Sequence, residues 1–173
     1  MKERRNAPSL AVSGMLAALV ALATMLFKLP LVAPPGYIHL GDTLILFSAM
    51  LAGSAAAPIG GIGSALADVL GGYGFYALPT LFIKALTGFL ASKRLRLEGQ
   101  HAFLHCALSF SAAELAMVVG YAIFESFAYS FATAVSGIPM NLLQAAASAA
   151  LACALLPVAR RIRPTLRSGG KPL

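Results

Sequence analysis

The sequence predicts an all-α, polytopic membrane protein: a bundle of six transmembrane helices with both termini in the cytoplasm. Three observations carry that prediction. Hydrophobic residues make up 59% of the 173 residues and charged residues only 11%, with a mean hydropathy of +0.82. A soluble domain has roughly 25% charged residues, and a chain this short cannot hide so much apolar surface inside itself. The 13 Lys and Arg against 6 Asp and Glu give a net charge of +7. That excess is concentrated in three short clusters beside apolar runs. The composition excludes a soluble enzyme, a disordered tail and a disulfide mini-protein, and one membrane domain spans residues 1–173.

Helix 1 is expected over residues 8–28. The uncharged run from Ala7 to Phe27 is 21 residues, a spanning length rather than a signal-peptide core. Leu29 to Tyr37 reads as a loop, broken by Pro30, Pro34, Pro35 and Gly36. The uncharged stretch from Thr43 to Ala67 is long enough for one helix, but Gly53, Pro58, Gly60, Gly61 and Gly63 argue for two, over 41–52 and 55–70. Gly71 to Gly74 forms a second loop. Helix 4 is expected over 78–91, helix 5 over 101–124 and helix 6 over 129–158, with an outer turn at Glu125 and Ser126. Pro164 is expected to stop the last helix, leaving a basic tail over 159–173.

Counting tests the topology. The clusters are Lys2, Arg4 and Arg5; Lys93, Arg94 and Arg96; and Arg160, Arg161, Arg163, Arg167 and Lys171. Six helices place all three on the cytoplasmic side, whereas a single helix over 41–70 places the basic tail outside. The positive-inside rule therefore favours the split. Such clusters also suit anionic lipid headgroups, and the chain has no soluble basic face for nucleic acid.

Polar groups within apolar helices are expensive and point to function. Asp42 opens helix 2, Asp68 lies near the end of helix 3, Lys84 is in helix 4, Glu114 in helix 5, and Asn141 and Gln144 in helix 6. At about 1.5 Å per residue, Lys84 and Asp68 lie within reach of one another, so a structural ion pair between them is expected. Glu114 and Asn141 come out at similar depths, about 15 and 18 Å below the outer surface. They suggest the floor of an outward-facing pocket. The plainer alternative is an interhelical hydrogen bond. Tyr37, His39, Tyr73, Phe75, Tyr76 and Tyr121 gather near the outer side, where aromatics with a few polar groups suit a planar heterocycle. On helix 1, Ser13, Ala17 and Ala21 recur every fourth residue, with Gly14 and Ala18 in the next row. Small residues at this spacing let helices approach closely.

Other chemistry finds little footing. Cys106 and Cys153 form neither a disulfide framework nor a metal pattern. His101, His105 and Cys106 lack a supporting carboxylate, so no metal is expected. Gly61-Ile62-Gly63-Ser64 only echoes a nucleophile site. No phosphate-binding loop is present, and no cofactor is expected.

The order Gly36-Tyr37-Ile38-His39-Leu40-Gly41-Asp42, then Gly63-Ser64-Ala65-Leu66-Ala67-Asp68, then Tyr76, Pro79 and Lys84-Ala85-Leu86-Thr87-Gly88, and finally Pro139-Met140-Asn141-Leu142-Leu143-Gln144 resembles the S components of energy-coupling factor (ECF) vitamin transporters. The likeness covers nearly the whole chain and is nearest the branch for hydroxymethylpyrimidine, pyridoxine-type or riboflavin substrates. The resemblance implies a multi-pass protein of the cell membrane, not an enzyme, that captures a vitamin or precursor from outside. It implies a pocket near the outer face that includes Tyr37, His39, Tyr76, Lys84, Glu114, Tyr121, Asn141 and Gln144. It also implies that Ser13, Ala17 and Ala21 pack on a transmembrane T component, which works with two ATPases. A hydroxymethylpyrimidine- or pyridoxine-like ligand is the first expectation and riboflavin the alternative; the chain has no Trp, which some thiamine- and flavin-binding members use for stacking. A small intramembrane enzyme or a ligand-free assembly subunit are the readings from other classes.

Overall fold

A computed structural model describes residues 9–31 and 36–167. Helix α1 (Leu10–Leu26) leads into a strand β1 (Lys28–Leu31). Strand β2 (Gly36–His39) follows, then α2 (Gly41–Ala52), a 3-10 turn (Gly53–Ala55) and α3 (Ala56–Leu70). The remaining helices are α4 (Gly74–Lys93), α5 (Ala102–Ala128), α6 (Phe131–Ala154) and α7 (Leu156–Arg167). Among the described residues four helical runs are long and apolar enough to cross a membrane: Gly41–Leu70 taken as one run, α4, α5 and α6. Helix α1, at 17 residues, is just shorter.

The chain is not purely helical. Residues expected as a loop form an antiparallel hairpin, with Lys28 opposite His39 and Leu31 opposite Gly36. Pro30 fits because a two-stranded ribbon has only edge strands, where a missing N–H is tolerated. The expected breakers Pro34 and Pro35 lie outside the described residues.

At Gly53 the backbone turns through φ +60°, a conformation that glycine adopts without a side-chain clash. There α2 and α3 fold back on each other. A Cβ on Gly60 would lie 2.8 Å from the Ile45 side chain and 3.0 Å from the Lys84 carbonyl oxygen. One continuous helix would hold residues 45 and 60 about 22 Å apart. Helix α3 also packs closely on α4, where a side chain at Gly88 would run into the Ala56 carbonyl. The central core joins α1, α2 and α5 through Val20, Ile45, Leu46, Met50 and Phe110, all fully buried. A smaller cluster of Met117, Val118 and Ala145 joins α5 to α6. Outward, Leu19, Phe82, Leu86, Leu115, Val119, Ile123 and Leu143 are exposed, an apolar girdle of the kind lipid covers.

Several expected boundaries move. Helix α4 starts at Gly74 rather than Leu78. Pro79 lies inside it, at the cost of one helical bond to Phe75. Helix α5 runs on through Glu125 and Ser126 to Ala128. The Ser126 hydroxyl donates back to the Ala122 carbonyl at 2.7 Å, and Glu125 is buried rather than placed in a turn. Helix α6 stops at Ala154, and a separate α7 continues through Pro164 to Arg167. Pro157 sits in the first turn of α7, where its missing N–H has no helical partner to lose. Leu156 and Ala159 are buried, and the Arg160 Nε donates to the Leu97 carbonyl at 2.6 Å, tying α7 to the loop between α4 and α5.

Candidate functional site

The strongest polar feature lies beneath the hairpin. Helix α2 has 12 residues and α1 has 17, about 18 Å against 26 Å. The hairpin occupies the difference, so the first turn of α2 starts deep in the bundle. Asp42 sits in that turn, where the free N–H groups of the helix end favour a carboxylate. Lys84, at the middle of α4, reaches both of its oxygens at 2.7 Å, and both side chains are fully buried.

The ion pair that Lys84 makes here is with Asp42, where the sequence pointed to Asp68. A helix starting at Leu78 would put Lys84 only about 9 Å along it. With α4 starting at Gly74, the lysine lies about 15 Å along its helix. Asp68 is two residues from the end of α3, whereas Asp42 opens a recessed helix at the level of the lysine.

The carboxylate has further partners. Gln144 on α6 donates from Nε2 to Asp42 Oδ2 at 2.7 Å. Its Oε1 accepts the backbone N–H of His39 at 2.9 Å. The His39 ring is buried, and its Nδ1 accepts the Gly41 N–H at 3.0 Å, as a neutral imidazole does. Burial pulls its pKa down to about 4, with Asp42 pulling upward and Lys84 downward. One carboxylate thus joins α2 to α4 and α6 directly, and to the hairpin through Gln144. On its other side, the Lys84 Nζ lies 5.2 Å from the centre of the Tyr121 ring, within cation–π range. The Tyr121 hydroxyl is in turn bonded to the Thr80 hydroxyl at 3.0 Å.

Glu114 on α5 lies within electrostatic reach of Asp42 and Lys84. It is 1% exposed, and neither carboxylate oxygen has a hydrogen-bond partner among the described residues. Such a group is costly to bury unpaired.

The remaining expected residues divide. Asn141 is half-buried on α6, about one turn from Gln144. Tyr76 is eight residues from Lys84, about 12 Å along α4. It belongs to a separate aromatic cluster, 5.3 Å from Phe124 and 6.4 Å from Tyr129 between ring centres, and its hydroxyl hydrogen-bonds Glu125. Tyr37 is in β2, but its side chain lies outside the described residues. Ala17 and Ala21 turn toward the bundle: the Ala17 carbonyl abuts Gly63 on α3, and Ala21 is 5% exposed. The outward row on α1 is Gly14 and Ala18, with open space where a Gly14 side chain would be. Among the described residues no three His, Cys, Asp or Glu are grouped to hold a metal.

Sequence reasoning counted Asp42 among the costly polar residues without placing it in the site. Its signal was the position at the start of a helix that also follows His39. Thr80, Glu125 and Tyr129 were missed because a hydroxyl in an apolar helix and an acid near a helix end are both unremarkable in sequence.

Residues 6–161 match the family model of the ECF-type riboflavin transporter S component. The chain belongs to that family. S components of ECF transporters are subunits of transporters rather than enzymes. They bind small-molecule substrates and work with a T component and an ATPase module. The apolar helices fit that membrane setting. The chain is also similar to an uncharacterized protein of Pyrococcus woesei, with 44% identity over 72 residues, covering 41% of this chain. The match spans about half, 48%, of that protein's length.

Proposed function

We propose that this S component captures a small planar heterocycle, a vitamin or vitamin precursor, from the outer face and delivers it through a T component and two ATPases. The observation that carries the ligand class is Glu114. A buried carboxylate with unpaired oxygens suits a ligand that presents a ring N–H or an amino group. Tyr121 and His39 lie on the Lys84–Asp42–Gln144 network and would frame the heterocycle. Asn141, one turn from Gln144, would add a polar contact, and Tyr37 and Tyr76 would border the entrance. Hydroxymethylpyrimidine- and pyridoxine-like compounds fit this donor requirement with few polar contacts. The second reading is a flavin, which the family description favours and whose ring N–H meets the same requirement.

The membrane arrangement follows from the same reading. The α2–α3 reversal allows six passes, with the basic ends of α4 and α6–α7 on the cytoplasmic side of the cell membrane. The T component would dock on α1 through the outward row of Gly14 and Ala18, one residue over from the expected Ser13, Ala17 and Ala21, of which Ala17 and Ala21 pack inward.

The test is to purify the protein from rich medium in detergent, denature it and identify released small molecules by mass spectrometry. A stoichiometric pyrimidine, pyridine or flavin compound supports the proposal and chooses among ligands. An empty preparation, together with no thermal shift from a panel of those compounds, overturns it.

A further inference from the structure

A second feature lies at the opposite end of the bundle from the hairpin. Between the last turn of α4 and the first turns of α5 is an open cavity of about 870 Å³, the size of a pocket for a drug-sized molecule. Its polarity is graded. Lys93, Arg94, Arg96 and His105 line one part, and Leu90, Leu108 and Ala112 line another. His105 and Ala112 are seven residues apart on α5, about 10 Å, so the apolar lining leads from the basic end into the span. Ser109, also in the wall, spends its hydroxyl on the Ala91 carbonyl at 3.1 Å. Among the described residues none of Lys93, Arg94 and Arg96 makes a salt bridge. The Lys93 Nζ instead lies 5.8 Å from the centre of the Phe89 ring.

We propose that this groove binds an anionic phospholipid, its headgroup phosphate held by Lys93, Arg94 and Arg96 and an acyl chain lying along Leu90, Leu108 and Ala112. Charge complementarity selects the headgroup, because three cations that make no salt bridge among the described residues surround the mouth. The apolar wall selects a ligand that carries a hydrocarbon chain, which a free phosphate lacks. Basic pockets between membrane helices bind anionic headgroups in this way. The proposal requires only that the chain sits in a bilayer, so it stands apart from the identity of the transported ligand.

The test uses the full chain in mild detergent, titrated with dioleoyl phosphatidylglycerol or dioleoyl phosphatidylcholine, with bound lipid counted by native mass spectrometry. The expected result is one tightly retained phosphatidylglycerol and no comparable phosphatidylcholine adduct. Arg94→Gln/Arg96→Gln should weaken that adduct about thirtyfold, from the contribution of two basic side chains at a membrane surface. Arg161→Gln/Arg167→Gln, which removes as much charge from α7, should leave it in place. Ala112→Trp keeps every charge and should also expel the lipid by filling the apolar wall. Equal retention of the two lipids, an unaffected adduct in Arg94→Gln/Arg96→Gln, equal loss in the α7 variant, or displacement by millimolar inorganic phosphate would each overturn the proposal. Unchanged melting temperatures of all variants in phosphatidylcholine confirm that folding is intact, and should Arg94→Gln/Arg96→Gln fail to fold, Ala112→Trp decides the question.

Discussion

Replacing Lys84 with methionine should be the most damaging conservative change in the bundle. Methionine keeps the apolar stem of the side chain but removes the ammonium group and with it the cation–π contact with Tyr121. Asp42 is then left fully buried with only Gln144 donating to it. Breaking a buried ion pair by deleting one partner costs about 3–5 kcal/mol, because the other charge is stranded. For a chain of this size each kcal/mol lowers the melting temperature by about 2–4 °C, so a fall of about 10 °C is expected. The companion variant Asp42→Asn/Lys84→Met removes both charges and should recover most of that loss. Thermal unfolding of the four proteins of this cycle, followed by circular dichroism in one detergent, gives the coupling energy directly. If Lys84→Met melts within about 2 °C of the wild type, or if the double variant is no better than the single one, the clasp does not hold the helices as described.

Three further outcomes are expected. Glu114→Gln should weaken binding of the co-purifying ligand about tenfold, the scale of one hydrogen bond to a charged group, while leaving the melting temperature unchanged or raised; calorimetry showing full affinity would remove Glu114 from the pocket. His39 is held neutral with a pKa near 4 against 6.5 when unfolded, so the unfolded chain binds more protons between those values. Stability should therefore be complete above pH 6.5 and fall as the pH drops toward 4, and His39→Gln should flatten that part of the melting profile. On α1, Gly14→Trp should block association with a T component in pull-down and leave stability intact, whereas Ala21→Trp should lower the melting temperature; the reverse pattern would exchange the two faces.

The helical bundle was legible because its signals are local and large. Long uncharged runs mark α1 and α6, a long apolar run interrupted by Glu114 marks α5, and Gly53 marks the reversal that separates α2 from α3. The hairpin was not legible: Pro30 and Gly36 are loop residues by every local rule, and only pairing between Lys28–Leu31 and Gly36–His39 places them in strands. The break between α6 and α7 was also hidden, since Leu155 and Leu156 continue the apolar run without interruption. In the site, residue type was readable and partnership was not. Lys84, Glu114 and Gln144 stood out as polar groups in apolar helices. That Lys84 meets Asp42 rather than Asp68 depends on how far α2 is recessed, a length set by the hairpin. The small-residue stripe on α1 carries two rows one residue apart, and only the packing of Ala17 on Gly63 tells which row faces inward.

The clasp also bears on how the protein is made. Asp42 and Gln144 are 102 positions apart, and His39 and Gln144 are 105 apart, so these bonds cannot form until α6 has left the ribosome. Until then α2 must enter the membrane carrying a carboxylate in its first turn, at a cost bounded above by the roughly 2.5–3.5 kcal/mol of an aspartate at a helix centre. The arrival of α4 brings Lys84 and relieves that penalty, and α6 closes the set. Assembly is therefore ordered by electrostatics as well as by synthesis. A nascent chain arrested before Lys84 should hold α2 and α3 only loosely in the bilayer, whereas one arrested after Gln144 should resist protease.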